Sequence, residues 1–236
     1  MIAAAVATAI CLAKPELWMN PAEAWRTVSH PKFPTQPVAA EALVPKGWTV
    51  EERLSGDLDG DRRPDLVLVL RGADPVCIVR HGGFGTDPLD TNPRAVVAAL
   101  ATPAGFRVIA VNDRLIGRHL APTVFEPPGD GGGYTLANGA LVVDLRFFAS
   151  SGTYRVASRK FIFRWRGGRL VLVGFDSMEG SRSTLAFEDT SVNYLTGRMK
   201  LTIEKEQRPP QSRWVSRPRK PLLDLSQIGD AWEFEP

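Results

Sequence analysis

Two dipeptides, Asn138-Gly139 and Gly167-Gly168, constrain this chain more than any other feature. A two-residue β-hairpin loop needs positive φ at its central residues, which glycine and asparagine adopt at least cost. Each dipeptide is flanked by β-branched and aromatic residues, so each predicts an antiparallel hairpin. The first joins 134–137 to 140–145, and the second joins 161–166 to 169–175. Counting outward from the second turn sets Trp165 opposite Leu170 and Phe163 opposite Leu172, which makes one face aromatic and apolar. The other face sets Arg164 against Val171 and Ile162 against Val173, a mixture suited to part exposure or to a second layer over one end.

Strand patterning extends through most of the remaining chain. It covers 48–54, the continuous apolar run 66–70, and the pair 95–100 and 106–111 around Thr102-Pro-Ala-Gly105, although Asn92-Pro93 also fits a helix start. Further strands are expected at 146–149, 153–158 and 198–204, for about nine to twelve in all. Asn20-Pro21 predicts a short helix to Trp25, and 38–43 a second one closed by Pro45 and Gly47. No fixed period repeats, which argues against a complete multi-blade propeller. The expected fold is all-β: antiparallel meanders forming a β-sandwich or an irregular propeller-like domain, with short N-terminal helices. Residues 1–13 form a candidate signal segment and 14–37 a helical or linker segment. Residues 38–236 form a single β-rich domain that includes a basic, proline-rich segment, 205–221.

At 236 residues with 44% hydrophobic and 23% charged content, the chain can bury a core without a staple. The apolar run Met1-Ile-Ala-Ala-Ala-Val-Ala-Thr-Ala-Ile-Cys-Leu-Ala13 has the length of a signal-peptide h-region and is too short to span a bilayer. It lacks a charged n-region, so a buried helix is the competing reading; export to the periplasm or beyond the cell is the expectation adopted. Loss of this run would take Cys11 with it and leave Cys77 alone, a buried small hydrophobe and not part of a disulfide scaffold or a cysteine zinc site.

The chemistry-bearing signal is Gly56-Asp57-Leu-Asp59-Gly60-Asp61-Arg62-Arg63-Pro64-Asp65-Leu66. Asp57, Asp59, Asp61 and Asp65 stand at loop positions one, three, five and nine, and Gly60 allows a tight turn. Such a chain can wind around a hard cation, and Ca²⁺ accepts six to eight oxygens at about 2.3–2.6 Å. Like charges this close repel without a cation; the alternative is a solvated Asx turn with no metal. Leu68 holds the twelfth position, where an EF-hand needs a bidentate glutamate, and the flanks read as strands. Any ion here is expected to be structural.

The loop followed by Leu66-Val-Leu-Val-Leu70 resembles the calcium loop of FG-GAP or VCBS-type repeats, with Arg62 standing where those loops usually carry glycine. Leu43-Val-Pro-Lys-Gly-Trp48 and Thr190-Ser-Val-Asn-Tyr-Leu-Thr-Gly197 extend the resemblance to a group of bacterial secreted proteins, over about 40–70 and 145–236. This resemblance implies an exported bacterial protein and carries over no catalytic residue.

Enzyme signatures are sparse. His81-Gly-Gly-Phe-Gly85 resembles a lipase oxyanion loop but lacks an accompanying Gly-x-Ser-x-Gly, so it reads as a surface loop. His30, His81 and His119 form no zinc-type pair. Gly129-Asp-Gly-Gly-Gly133 lacks the context of a phosphate cradle and reads as a flexible loop. Asp176 and Glu179 illustrate paired carboxylates without a shown geometry. Between Lys205 and Lys220, six basic residues face the single acid Glu206, so the rest of a chain of overall charge +3 is net acidic. Arg208, Arg213, Trp214, Arg217, Arg219 and Lys220 could meet an anionic surface, although a solvated linker is the reading preferred. The expectation is a non-enzymatic, extracytoplasmic binding module with one structural calcium loop. Its partner would be a protein or envelope polymer, nucleic acid being disfavoured; the alternatives are a structural envelope protein or a hydrolase of an envelope polymer.

Overall fold

The computed structural model describes residues 32–218 and 220–236. The candidate signal segment 1–13, the expected helix after Asn20-Pro21, and Arg219 lie outside the described residues. Within them the chain is all-β, and every strand pairing is antiparallel. Strands β1 (Trp48–Gly56), β2 (Asp65–Gly72), β5 (Arg94–Thr102) and β6 (Gly105–Asn112) form a four-stranded sheet in the order β1-β2-β5-β6. A short ribbon of β3 (Ile78–Val79) and β4 (Leu89–Asp90) interrupts it between β2 and β5. The remaining strands form a seven-stranded meander in chain order. They are β7 (Gly133–Ala137), β8 (Ala140–Phe148), β9 (Arg155–Arg166), β10 (Arg169–Ser181), β11 (Ala186–Asn193), β12 (Arg198–Lys205) and β13 (Arg208–Ser216).

The two sheets pack face to face, which makes the fold a sandwich. Val67 and Val69 of β2 and Val96, Ala98 and Leu100 of β5 meet Leu141, Val143, Phe161, Phe163, Leu172 and Phe175 of the large sheet. The opposite face of the small sheet is also covered: Leu66, Leu68, Leu70, Val97 and Ala99 pack with Leu43, Phe33 and Trp48. Strand β2 is therefore buried on both faces, which explains its continuous apolar run. The helix expected at 38–43 contracts to a 3₁₀ turn, Ala40–Leu43, whose Leu43 anchors this third layer.

Both glycine-bearing hairpins form, with positive φ at Asn138, Gly139, Gly167 and Gly168. Trp165 pairs with Leu170 and Phe163 with Leu172 as the register requires, but a bulge at Val173 sets Ile162 opposite Gly174. Residues 146–148 continue β8, and 155–158 merge with 161–166 in β9, so the pieces expected separately are single long strands. The solvated-linker reading of 205–220 is corrected: residues 208–216 form β13, the edge strand of the large sheet. Cys77 is buried, as its apolar setting predicts. Gly129-Asp-Gly-Gly-Gly133 is no loose loop, since a Cβ on Gly129 would lie 2.2 Å from the Arg146 carbonyl oxygen. Only glycine permits that approach.

The C-terminal segment closes the sandwich. Leu172 donates to the Leu223 carbonyl at 2.8 Å, so the tail extends the large sheet beside the first half of β10. Leu225, Ile228 and Ala231 then enter the core, and the Phe234 ring centre sits 5.2 Å from that of Phe161. Asn112, at the end of β6, latches this plug. Its amide donates to the carbonyls of Leu225 and Ile228 at 2.6 and 2.8 Å, and its oxygen accepts from the amides of Arg114 and Leu115. Each buried backbone group left without a partner costs about 1–3 kcal/mol. Asn112→Ala is expected to lower stability by about 3 kcal/mol and Tm by roughly 6–12 °C. Denaturant and thermal unfolding check this; a loss under about 1 kcal/mol would refute the latch.

Charges gather at one end of the interior. Arg94, with a wholly buried side chain, donates to Glu51 at 2.8 and 3.1 Å and to Glu126 at 2.6 Å. Arg71 joins Glu51, Asp90 and Glu126. Glu51 reaches both arginines from the β1 bulge between Val50 and Glu52. Burial pushes the Asp90 carboxyl up, but hydrogen bonds from Asn92 and the Arg71 charge outweigh it and hold Asp90 below its ordinary 3.8. The unfolded state then binds the proton more readily, so the stability Asp90 contributes is full above about pH 4 and is lost as pH falls through the depressed folded value. In denaturant titrations between about pH 5 and 2, Asp90→Asn is expected to show a shallower acid loss than the parent. Parallel slopes would sink this assignment.

Candidate metal centre

The loop between β1 and β2 is fastened at both ends. Leu58, between the first two aspartates, is 4% exposed and inserts into the main core. Asp65 opens β2 with no exposure at all; its Oδ2 accepts from the Leu58 amide at 2.7 Å and its Oδ1 from the Ala101 amide at 2.8 Å. One carboxylate thereby ties the loop to the end of β5. Burial pushes the Asp65 carboxyl up, against the two amides and with the nearby charges of Asp59 and Asp61.

Asp57, Asp59 and Asp61 converge, each offering a ligand oxygen within 4.8 Å of the others. Two oxygens on one Ca²⁺ stand up to about 5 Å apart, twice the usual bond length. All three donors are hard carboxylate oxygens, which fits calcium better than a thiophilic or imidazole-seeking metal. Loop amides orient each carboxylate. Gly60 and Arg62 donate to Asp57 at 2.7 and 2.9 Å, Asp61 to Asp59 at 3.1 Å, and Arg63 to Asp61 at 2.7 Å. Those bonds also define the Asx turns that serve as the metal-free reading of the loop. The four expected ligands thus separate into an exposed or half-exposed triad and a buried anchor, Asp65.

Sequence reasoning did not show the far wall of this loop. The Asn138-Gly139 turn, Arg164 and Trp165 line a cleft of about 480 Å³ with Asp57 and Asp59. Arg164 donates to the Asn138 carbonyl at 2.9 Å. Tertiary packing alone brings this hairpin tip beside residues some 80 positions away in the sequence, and no local pattern signals it.

The other residues singled out fall elsewhere. His81 folds back on its own loop, its Nδ1 accepting from Gly83 and its Nε2 facing the Thr86 carbonyl, each at 3.0 Å. Asp176 and Glu179 project from opposite faces of β10, as residues three apart on a strand must. Glu179 is bound by Arg155 and Arg159, and Asp176 accepts from Ser191. A cavity of about 190 Å³ is lined by His119, Arg146, Trp232 and Asp230, its single carboxylate, whereas glycoside hydrolysis generally uses two. Burial pushes Asp230 up. Arg208, Arg213 and Trp214 lie on β13, with Arg217 and Lys220 just beyond it. No helix among the described residues is long and apolar enough to cross a membrane. Comparison of the chain with family models, with curated proteins and with solved structures returned no match.

Arg62 occupies the left-handed region at φ 68°, the conformation that glycine takes freely and other residues take at about 1–2 kcal/mol. Glycine would occupy this position without that cost. After subtracting glycine's extra unfolded-state entropy, Arg62→Gly is expected to stabilise the fold by about 0.5–1 kcal/mol, or roughly 1–4 °C in Tm. A lower Tm would show that the arginine side chain contributes more than its backbone conformation costs.

Proposed function

We propose that the chain is a non-enzymatic binding module of the extracytoplasmic space, in which one calcium ion of structural role rigidifies the β1–β2 connection. The convergence of the Asp57, Asp59 and Asp61 oxygens carries this reading. Asp65 holds the loop in place and leaves the triad to face the ion. Calcium would neutralise the mutual repulsion of the three carboxylates and lock the strand connection on which the neighbouring cleft is built. The resemblance to FG-GAP and VCBS-type loops and the apolar run at residues 1–13 support an exported, calcium-bearing bacterial protein. The extended sheet supports a binding role, since rigid β scaffolds commonly present their interaction surfaces on loops and edges.

The test is thermal unfolding of the full chain in excess chelator and then in millimolar Ca²⁺. An ion bound to the native state alone at about 100 times its Kd adds about 2.7 kcal/mol, which corresponds to roughly 5–11 °C in Tm. Asp59→Ala is expected to abolish that rise while leaving a folded protein. The proposal fails if parent and variant respond alike, or if neither responds.

A further inference from the structure

Sheet edges are ready-made templates for another strand, and this fold hides nearly all of its own. Edge strand β1 lies against edge strand β7, so the two sheets screen one another there. Edge strand β6 is covered by the N-terminal segment, since Phe106 and Val108 donate to the carbonyls of Pro37 and Thr35 at 2.8 and 2.9 Å. The half of β10 that β11 leaves open is paired by Leu223 and Asp224. Among the described residues, β13 is the edge of the two large sheets that nothing covers.

Its register shows which groups face outward. Arg217 donates to Gly197 at 2.8 Å, and inward pairing alternates from there along an antiparallel ladder. Gln211, Arg213 and Val215 therefore point their backbone groups at β12, while Ser212, Trp214 and Ser216 present theirs to solvent. Pro209 and Pro210 sit at the bulge that ends this stretch, so the open edge is short and bounded.

Charge selects what can add to it. Arg213 and Arg217 flank the edge on one face; Lys200 pairs with Trp214 on the other, and Arg198 lies 4.4 Å from the Trp214 ring centre. Two β13 edges brought together would crowd Arg213 and Arg217 of one copy against the same charges of the other, which disfavours a second copy of this chain. An acidic strand meets complementary charge on both faces, and Trp214, 61% exposed, offers it apolar area.

We infer that the β13 edge binds an acidic, extended peptide segment of a partner protein by strand addition, with Ser212, Trp214 and Ser216 supplying the backbone ladder. This names the interaction surface of the binding module proposed above and rests on that reading for its biological sense. Main-chain bonds provide affinity and the basic side chains provide selectivity.

The experiment is fluorescence anisotropy of a labelled hexapeptide alternating glutamate and threonine, titrated with the full chain at low and physiological salt. The same peptide N-methylated at every residue keeps its charge and loses its backbone donors. Saturable binding that weakens at least tenfold on N-methylation is expected. Arg213→Glu with Arg217→Glu is expected to weaken the acidic peptide at least tenfold and to favour a lysine–threonine peptide instead. Equal binding of both acidic peptides overturns strand addition, as does displacement by polyphosphate or by phosphatidylglycerol vesicles at equal charge concentration. If the double variant melts early, the N-methyl comparison on the parent chain still decides. The calcium melt is read separately, so a calcium-dependent Tm with no peptide binding removes this surface and leaves the metal centre standing.

Discussion

A single buried carboxylate organises this molecule's most chemically distinctive region. Asp65 loses all contact with water, a cost offset by two charge-assisted bonds from the Leu58 and Ala101 amides. Those bonds run to opposite sides of β2, one into the aspartate loop and one into the end of β5. The loop can therefore be rich in like charge without peeling from the sheet, because its anchor lies in the interior. Leu58 completes the fastening by burying an apolar side chain between Asp57 and Asp59. The triad is held from both sides before any ion arrives, so binding need not first order the loop.

The same division of labour recurs at the other end of the sandwich. Arg94 has no exposed side-chain surface, and it is tolerable there because Glu51 and Glu126 bring compensating charge. Glu51 can serve both Arg94 and Arg71 because the β1 bulge frees it from the ladder. Between these polar ends lies a continuous apolar core, closed by the C-terminal plug that Asn112 holds. Removing Glu51 or Glu126 leaves the buried Arg94 charge short of a partner, and removing Asp65 leaves the Leu58 and Ala101 amides unpaired. That loss costs more than the pair contributes when intact, which is why such clusters resist piecemeal change.

What the sequence made legible follows from which signals are local. The hairpins at Asn138-Gly139 and Gly167-Gly168 were readable because positive φ selects a narrow set of residues, and β2 because burial on both faces leaves an unbroken apolar run. Strands β11 and β13 were hidden for the converse reason: Leu185 and Gln207 adopt left-handed φ of 49° and 58° without the usual residues. Pro209 and Pro210 further disguised β13, since proline fits a strand only at an edge or a bulge, and here it has both. The bulge at Val173 escaped because its surroundings are non-local: Leu172 donates to the Leu223 carbonyl, about 50 residues downstream, and the Val173 carbonyl accepts from Tyr194. In the aspartate loop, spacing revealed the triad, but it could not separate Asp65 from the others; burial alone makes that distinction.

The two surfaces most suited to interaction sit on opposite halves of the fold and depend on different physics. The aspartate loop concentrates negative charge on a short connection pinned to the doubly buried strand β2. The β13 edge concentrates positive charge on a strand whose backbone is left unfinished, at the far end of a meander where the small sheet no longer covers it. A chain with a net charge of only +3 carries both because the charges are segregated, not absent. Segregation has a mechanical consequence as well: β13 belongs to the large sheet and the aspartate loop to the small one, so a ligand at either would not require rearranging the strands that carry the other.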